Sequence, residues 1–350
     1  MEAAIFRGPQ NLKVEDIPLP KAGENGVVVK VRAVGICGSD LHAYRHPWDR
    51  HKIGVAWGHE WSGDVVEVGS NVYGVNPGDR ITGRAFEPCY KCEACNKGQF
   101  IMCARRKSAG VEIDGGFAEY IKVPFVALNQ NIFILTPEMS YWDGALMEPL
   151  SVGTGVVKKL NPRPSDIAVI QGAGIIGLGV LAQMKAIGVT KVIVSDISEK
   201  RLIAAGNLGA DILVNPKKDN VVDRVMKETS NKGANLIIEA AGKAETFHQS
   251  IEMVCREGKT MVVAYYDEPF MFNPSRSPSG SEWNSLVSKA IQILGGPIPD
   301  MAGSFEFIKS GKIKAEQVVS QIYPLEKISE AFQMQMNPYE SIKVMLEPAG

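Results

Sequence analysis

The sequence predicts a two-domain α/β chain, a β-rich first domain followed by a doubly wound parallel sheet. Three observations predict it. Residues 1–80 alternate apolar and polar positions between glycines and prolines, as in Gly26-Val-Val-Val-Lys-Val-Arg-Ala-Val and Trp61-Ser-Gly-Asp-Val-Val-Glu-Val-Gly. Period-two alternation bounded by turn formers is the pattern of strands. From Asp166 onward short apolar runs alternate with helical stretches, the order that builds a parallel sheet with crossover helices. Finally, 350 residues are enough for two cores that together bury about three quarters of the unfolded surface.

Taken in order, the first domain reads as a twisted partial barrel, and the pattern changes near Tyr141. The second domain then reads strand (167–171), helix (174–187), strand (191–195), helix (199–208), strand (212–214), helix (221–229), strand (236–239) and strand (259–265). Residues 268–284 are a Pro/Ser-rich loop, and the chain closes on a short strand at 341–346. No repeat or low-complexity tract stands out. Cys255 reads as a helix-end thiol and His248 as a surface histidine.

Composition excludes several classes of function. The chain is 45% hydrophobic and 22% charged with a net charge of -1, so no basic face for nucleic acid is expected. No run approaches the roughly 18 apolar residues of a membrane span. The start, Met1-Glu-Ala-Ala-Ile-Phe-Arg, reads as a strand rather than a signal peptide, which makes the cytoplasm the expected compartment.

Gly172-Ala-Gly174-Ile175-Ile176-Gly177 sits between an apolar strand and a helix, and Asp196 ends the next strand. In that context the three glycines allow a tight turn, approach of backbone N–H groups to a pyrophosphate, and close helix–strand packing. The helix N-terminus then faces the phosphates. Asp196 is placed to accept hydrogen bonds from the adenosine ribose and to repel a 2′-phosphate, which favours NAD over NADP. Arg201 completes the candidate cofactor set.

Six cysteines fall into two kinds. Cys89, Cys92, Cys95 and Cys103 cluster in a polar loop, whereas Cys37 and Cys255 stand alone. Tight clustering in a large chain points to metal rather than disulfides. A closed four-thiolate shell is a structural zinc site with no open position; reduced structural cysteines or an iron–sulfur cluster are the alternatives, and the cluster lacks a proline after the last cysteine. A second, dispersed set consists of Cys37-Gly-Ser39-Asp40-Leu-His42, Gly58-His59-Glu60 and Met147-Glu148-Pro149. Cysteine, histidine and glutamate near a domain join can hold a catalytic zinc that keeps one open position.

In order and spacing these motifs, together with Gly115-Gly-Phe-Ala-Glu-Tyr120 and Glu148-Pro-Leu-Ser-Val152, resemble the zinc-containing medium-chain dehydrogenases from end to end, in particular the polyol branch of sorbitol, butanediol, galactitol-phosphate and threonine dehydrogenases. The resemblance implies a GroES-like catalytic domain (residues 1–150 and 285–350, with a zinc lobe near 86–105) clasping a Rossmann domain (151–284). It implies a homo-oligomer, tetramer or dimer, with two zinc ions and NAD per chain. Cys37 and His59 are the implied ligands of the catalytic zinc, with Glu60 or Glu148 as third ligand or holder of a zinc-bound water. Glutamate rather than cysteine at position 148 shifts weight toward polyols. Asp40 is the implied partner that orients His59. The implied reaction takes hydride from a secondary alcohol of a polyol, sugar alcohol or sugar phosphate, with zinc as Lewis acid. Ser39 receives the alcohol proton and relays it through a ribose hydroxyl to His42.

The sequence departs from the family at Ala43-Tyr-Arg-His-Pro-Trp-Asp-Arg-His-Lys-Ile53, which reads either as a solvated loop or as a grip for an anionic group, and at Gly295-Gly-Pro-Ile-Pro299. Two other readings compete: an amino-alcohol dehydrogenase of the threonine type, and a nucleotide-binding structural protein without catalysis.

Overall fold

The strand Val27–Gly35 runs through the centre of a seven-stranded sheet because nearly all its side chains are buried, on both faces. In the computed structural model, which describes residues 1–46, 51–266, 268–271, 282–296 and 298–349, this sheet is the frame of the first domain. Its order is Val319–Pro324, Lys343–Glu347, Val27–Gly35, Glu60–Val68, Arg80–Gly83 and Ile132–Ile134, with Tyr120–Val123 also pairing with Val27–Gly35. All pairs are antiparallel except the first, which is parallel. Trp57, Trp61, Phe117 and Phe332 fill the core beneath it.

Val319–Pro324 and Lys343–Glu347, the first two strands of that order, come from the C-terminal part of the chain. The expected boundary at residue 285 needs correction. The strand Gln292–Leu294 adds to the edge of the parallel sheet, against Val254–Val262, so the nucleotide-type sheet extends past that point.

That parallel sheet has the order Ile212–Val214, Lys191–Ser195, Ile167–Gln171, Ala234–Glu239, Val254–Val262, Gln292–Leu294. The order reverses between Ile167–Gln171 and Ala234–Glu239, the switch point where doubly wound sheets bind ligands. Apolar helices cover it, including Ile175–Ala186, which packs against the long domain-joining helix Met147–Leu160. Among the described residues no helix is long and apolar enough to cross a membrane.

Four other expectations differ from the structure. The strand expected at 259–265 runs from Val254 to Val262, because the helix Ala244–Met253 ends directly into it. Cys255 therefore lies in a strand, not at a helix end. His248 is buried rather than at the surface, its Nδ1 2.5 Å from Glu282 Oε1. Glu282 opens the helix Glu282–Lys289, so the last part of the expected 268–284 loop is helical, while residues 272–281 lie outside the described residues.

Candidate active site and metal centres

The structural lobe is local chemistry. The backbone turns of 89–103 bring the four cysteine sulfurs within 4.8 Å of one another. Cys92 and Cys95 Sγ stand 3.5 Å apart, and Cys89 and Cys95 Sγ 4.0 Å. A disulfide would be about 2.05 Å, whereas four sulfurs held about 2.3 Å from one zinc sit about 3.8 Å apart. The spacing fits an ion. In the absence of an ion the backbone N–H of Lys91 draws the Cys89 thiol down to about 6, while desolvation and the neighbouring thiols push Cys95 up to about 11. Four thiolates cannot share this volume without a cation between them.

The dispersed set converges through longer paths. Cys37 sits at the N-terminus of the helix Gly38–Arg45, immediately after the central strand. His59 precedes and Glu60 opens the neighbouring strand, whose register sets Glu60 beside Gly35. Cys37, His59 and Glu60 offer donor atoms within 4.8 Å of one another, which suits one ion with bonds of about 2.0–2.3 Å. Glu148 does not join this tight group. It enters the same cleft from the first turn of Met147–Leu160, close enough for its charge to act on His59 and Glu60.

Behind the donors lies a buried electrostatic layer. Asp40 Oδ1 is 3.6 Å from His59 Nδ1 and 3.7 Å from His51 Nε2, and Asp40 Oδ2 accepts the Cys37 N–H at 2.9 Å. At these separations the carboxylate attracts both rings by charge, without a direct hydrogen bond to His59 among the described residues. Burial by itself would raise Asp40's pKa, but His59, His51 and the Cys37 amide outweigh it and hold the group below the usual range. Burial likewise disfavours charged His59, yet Asp40, Cys37 and Glu148 push it well above the usual histidine value. A pocket of this negative potential attracts a cation.

Glu60 is completely buried and paired with Lys343, itself 1% exposed. Lys343 also donates to Ile36 O at 2.8 Å. Gly35 makes the pair possible, since a Cβ there would lie 2.2 Å from Glu60 Oε2 and 2.7 Å from Lys343 Cε. Burial raises the Glu60 pKa, with Lys343 and His59 pulling it back down.

The nucleotide loop has the geometry its sequence implies. Gly172 has φ +99°, and a Cβ on Gly177 would lie 2.0 Å from Gly172 O. Around Gly174, at the N-cap of Ile175–Ala186, the space is open, as an approaching pyrophosphate requires. Ile176 lines the cleft. Asp196 accepts from Ala173 N–H at 2.7 Å and Ser198 N–H at 2.8 Å, so it braces the loop. Arg201 is turned largely elsewhere: its Nε donates to Ser341 O at 2.8 Å, and its Nη1 lies 3.9 Å from Asp196.

Both halves face one cleft of about 720 Å³, lined by Cys37, Ser39, His42, His59 and Glu148 from one side and Ala240–Tyr265 segments from the other. Glu239, at the base of the latter, accepts from Ala241 N–H, Gly242 N–H and Tyr266 OH, which stiffens that wall. The sequence pattern places His51 only within the charged stretch 43–53 and does not single out Lys343, Arg84 or Glu239. Lys343 alone left a trace, a single charge inside the apolar run Ile342–Leu346.

Residues 23–130 match the alcohol dehydrogenase GroES-like domain family, and residues 176–298 the zinc-binding dehydrogenase family. The chain is 30% identical to the sorbitol dehydrogenase of Bacillus subtilis, over 99% of this chain and 97% of that enzyme. It is equally 30% identical to an L-threonine 3-dehydrogenase of Bacillus licheniformis, over 99% of each. A Sinorhizobium meliloti protein described as a zinc-binding dehydrogenase and solved with NADP superposes with a TM-score of 0.87, at 27% identity over 99% of both chains.

Proposed function

The chain belongs to the zinc-binding alcohol dehydrogenase family, and from that premise we propose that it oxidises a secondary alcohol of a polyol, sugar alcohol or sugar phosphate with NAD as acceptor. The observation that carries the reading is the meeting of the Cys37, His59, Glu60 donor group with the Gly172–Gly177 loop's domain across one cleft.

Zinc in that donor group supplies a Lewis acid to the alcohol, and nicotinamide supplies the hydride acceptor. The chain's own residues do the rest. Cys37 and His59 would hold the ion, with Glu60 paired behind them to Lys343 and Glu148 facing the cleft. Ser39 Oγ takes the alcohol proton. A ribose hydroxyl of the bound coenzyme would pass it to His42, one helical turn on and half-buried beside Tyr265, near exposed His46, whose ring centroid is 5.5 Å away. Asp196 favours a free ribose over a 2′-phosphate by charge repulsion. Arg201 at 3.9 Å partly offsets it.

Zinc-replete protein offered polyols, phosphorylated sugar alcohols and L-threonine with NAD or NADP, with reduced coenzyme followed by absorbance, tests the reading. Turnover of polyols or their phosphates with NAD is expected. Turnover confined to L-threonine would assign the amino-alcohol reaction, and no turnover on any of them would leave a non-catalytic nucleotide-binding protein.

A further inference from the structure

One wall of the cleft carries hydrogen-bond donors that the reaction above does not use. Arg84 follows the strand Arg80–Gly83 and lines the cleft. Its backbone is fixed at both ends by Asn131, a residue 1% exposed: Arg84 N–H donates to Asn131 O at 2.8 Å, and Asn131 Nδ2 donates to Arg84 O at 3.1 Å. The side chain is half-buried, and among the described residues it has no ion-pair partner. A guanidinium partly withdrawn from water without a carboxylate is costly unless an anion meets it.

Ser108 stands next to it. The short ribbon pairs Ser108 with Phe86, and Ala109 N–H donates to Ala85 O at 3.0 Å. The Ser108 hydroxyl is buried, lines the cleft and has no hydrogen-bond partner among the described residues. Its backbone N–H is held by Glu112 Oε2 at 2.7 Å, and Glu112 does not line the cleft. Farther along, Lys52 N–H donates to Val111 O at 2.9 Å, which sets His51 at the end of the same wall. Exposed Arg45 adds a second cation to the cleft lining. Glu148, from the helix beside the metal donors, is the one acidic residue among the described lining residues. Lys243 belongs to the nucleotide side.

We propose that this wall binds the anionic end of the substrate, a phosphate or carboxylate carried by the alcohol, with Arg84 supplying the charge and Ser108 a hydroxyl donor. The proposal rests on the dehydrogenase reading and narrows its substrate. Arginine's planar fork suits either oxyanion, and a preset backbone spares it part of the ordering entropy.

The test compares neutral C4–C6 polyols, their terminal phosphates and the matching aldonates as substrates of the wild type, Arg84→Gln and Ser108→Ala. The expected wild type prefers one anionic series, by phosphate or by carboxylate, and the preference weakens with salt. Arg84→Gln should raise KM for that series about 10- to 100-fold with kcat nearly unchanged, leave neutral polyols within about twofold, and be partly rescued by Arg84→Lys. Ser108→Ala should cost about 3- to 10-fold in the same KM. Calorimetric binding of sorbitol 6-phosphate and gluconate to the holoenzyme gives a readout independent of turnover, and the variant should weaken whichever binds. Neutral polyols turned over as well as or better than both anionic series, or an Arg84 variant that changes neutral and anionic substrates alike, would overturn the subsite while leaving the dehydrogenase standing. Absence of turnover on every alcohol would overturn the dehydrogenase itself.

Discussion

Replacing Lys343 by methionine tests the layer behind the donors most directly. The substitution keeps the length of the side chain and removes its charge, leaving Glu60 fully buried with its cationic partner gone. Breaking one side of a buried pair costs about 3–5 kcal/mol, because the surviving charge is neither hydrated nor paired. At about 2 °C per kcal/mol for a domain of this size, the melting temperature should fall by about 6–10 °C. Ile36 O also loses its lysine donor, which adds to the loss rather than opposing it. Lys343→Arg should retain most of the stability.

The pH dependence gives the prediction its sign. Burial already raises Glu60 above its ordinary value of 4.5, and Lys343 is the strongest group pulling it back. Without the lysine the folded pKa moves up further. A glutamate whose folded pKa exceeds its unfolded one contributes stability below the unfolded value and loses it as pH rises toward the folded value. The variant's deficit should therefore be small near pH 4.5 and grow toward about pH 8. Zinc beside Glu60 supplies replacement positive charge, so the deficit should be smaller in zinc-loaded than in chelator-treated protein. Calorimetric scans of both forms across that pH range provide the measurement. A variant within about 1 °C of wild type, or a deficit that does not change with pH, would refute the argument that Glu60 is a buried charge held by Lys343.

What the sequence made legible follows the distance over which each signal acts. The cysteine quartet and the glycine loop are local patterns, and the structure places their members as the spacing implies. The strands Ile167–Gln171, Lys191–Ser195 and Ile212–Val214 fall on the expected residues because short apolar runs there end at clear polar or glycine boundaries. The strand Val254–Val262 starts before the expected residue 259 because Arg256, Glu257 and Gly258 interrupt its apolar pattern. His248 reads as polar surface until the helix Glu282–Lys289 is seen to cover it. His51 lies in a charged stretch resembling a solvated loop, yet it is buried between Asp40 and Trp57. Glu60 and Lys343 meet only through sheet register, Glu60 beside Gly35 and Gly35 beside Met345. No local pattern encodes that meeting, which is why the sequence leaves Glu60 and Glu148 as equal candidates.

Metal analysis should find about two zinc ions per chain, and Cys95→Ser should leave about one; two ions in that variant would mean that the lobe is not the second site. Zinc added to chelated protein near pH 7 should release protons, because Cys95 is held up to about 11 and must lose its proton to bind; zinc retention should fall as the pH is lowered, because protons compete with the metal for the four sulfurs. A proton balance of zero would contradict that order. Ser39→Ala and His42→Ala should each lower kcat by about 10²-fold or more with smaller changes in KM, and an unaltered kcat in both would remove them from the proton path. Asp196→Ala should do more than weaken NAD. Its carboxylate now lies 3.9 Å from Arg201 Nη1 and braces Ala173 and Ser198. Removing it takes away the charge that repels a 2′-phosphate and leaves Arg201's charge unopposed beside the same position. Activity with NADP should therefore rise in absolute kcat/KM while activity with NAD falls, shifting the ratio by about 10-fold or more. If both coenzymes lose equally, Asp196 serves only to hold the loop, and the NAD preference must come from elsewhere in the site.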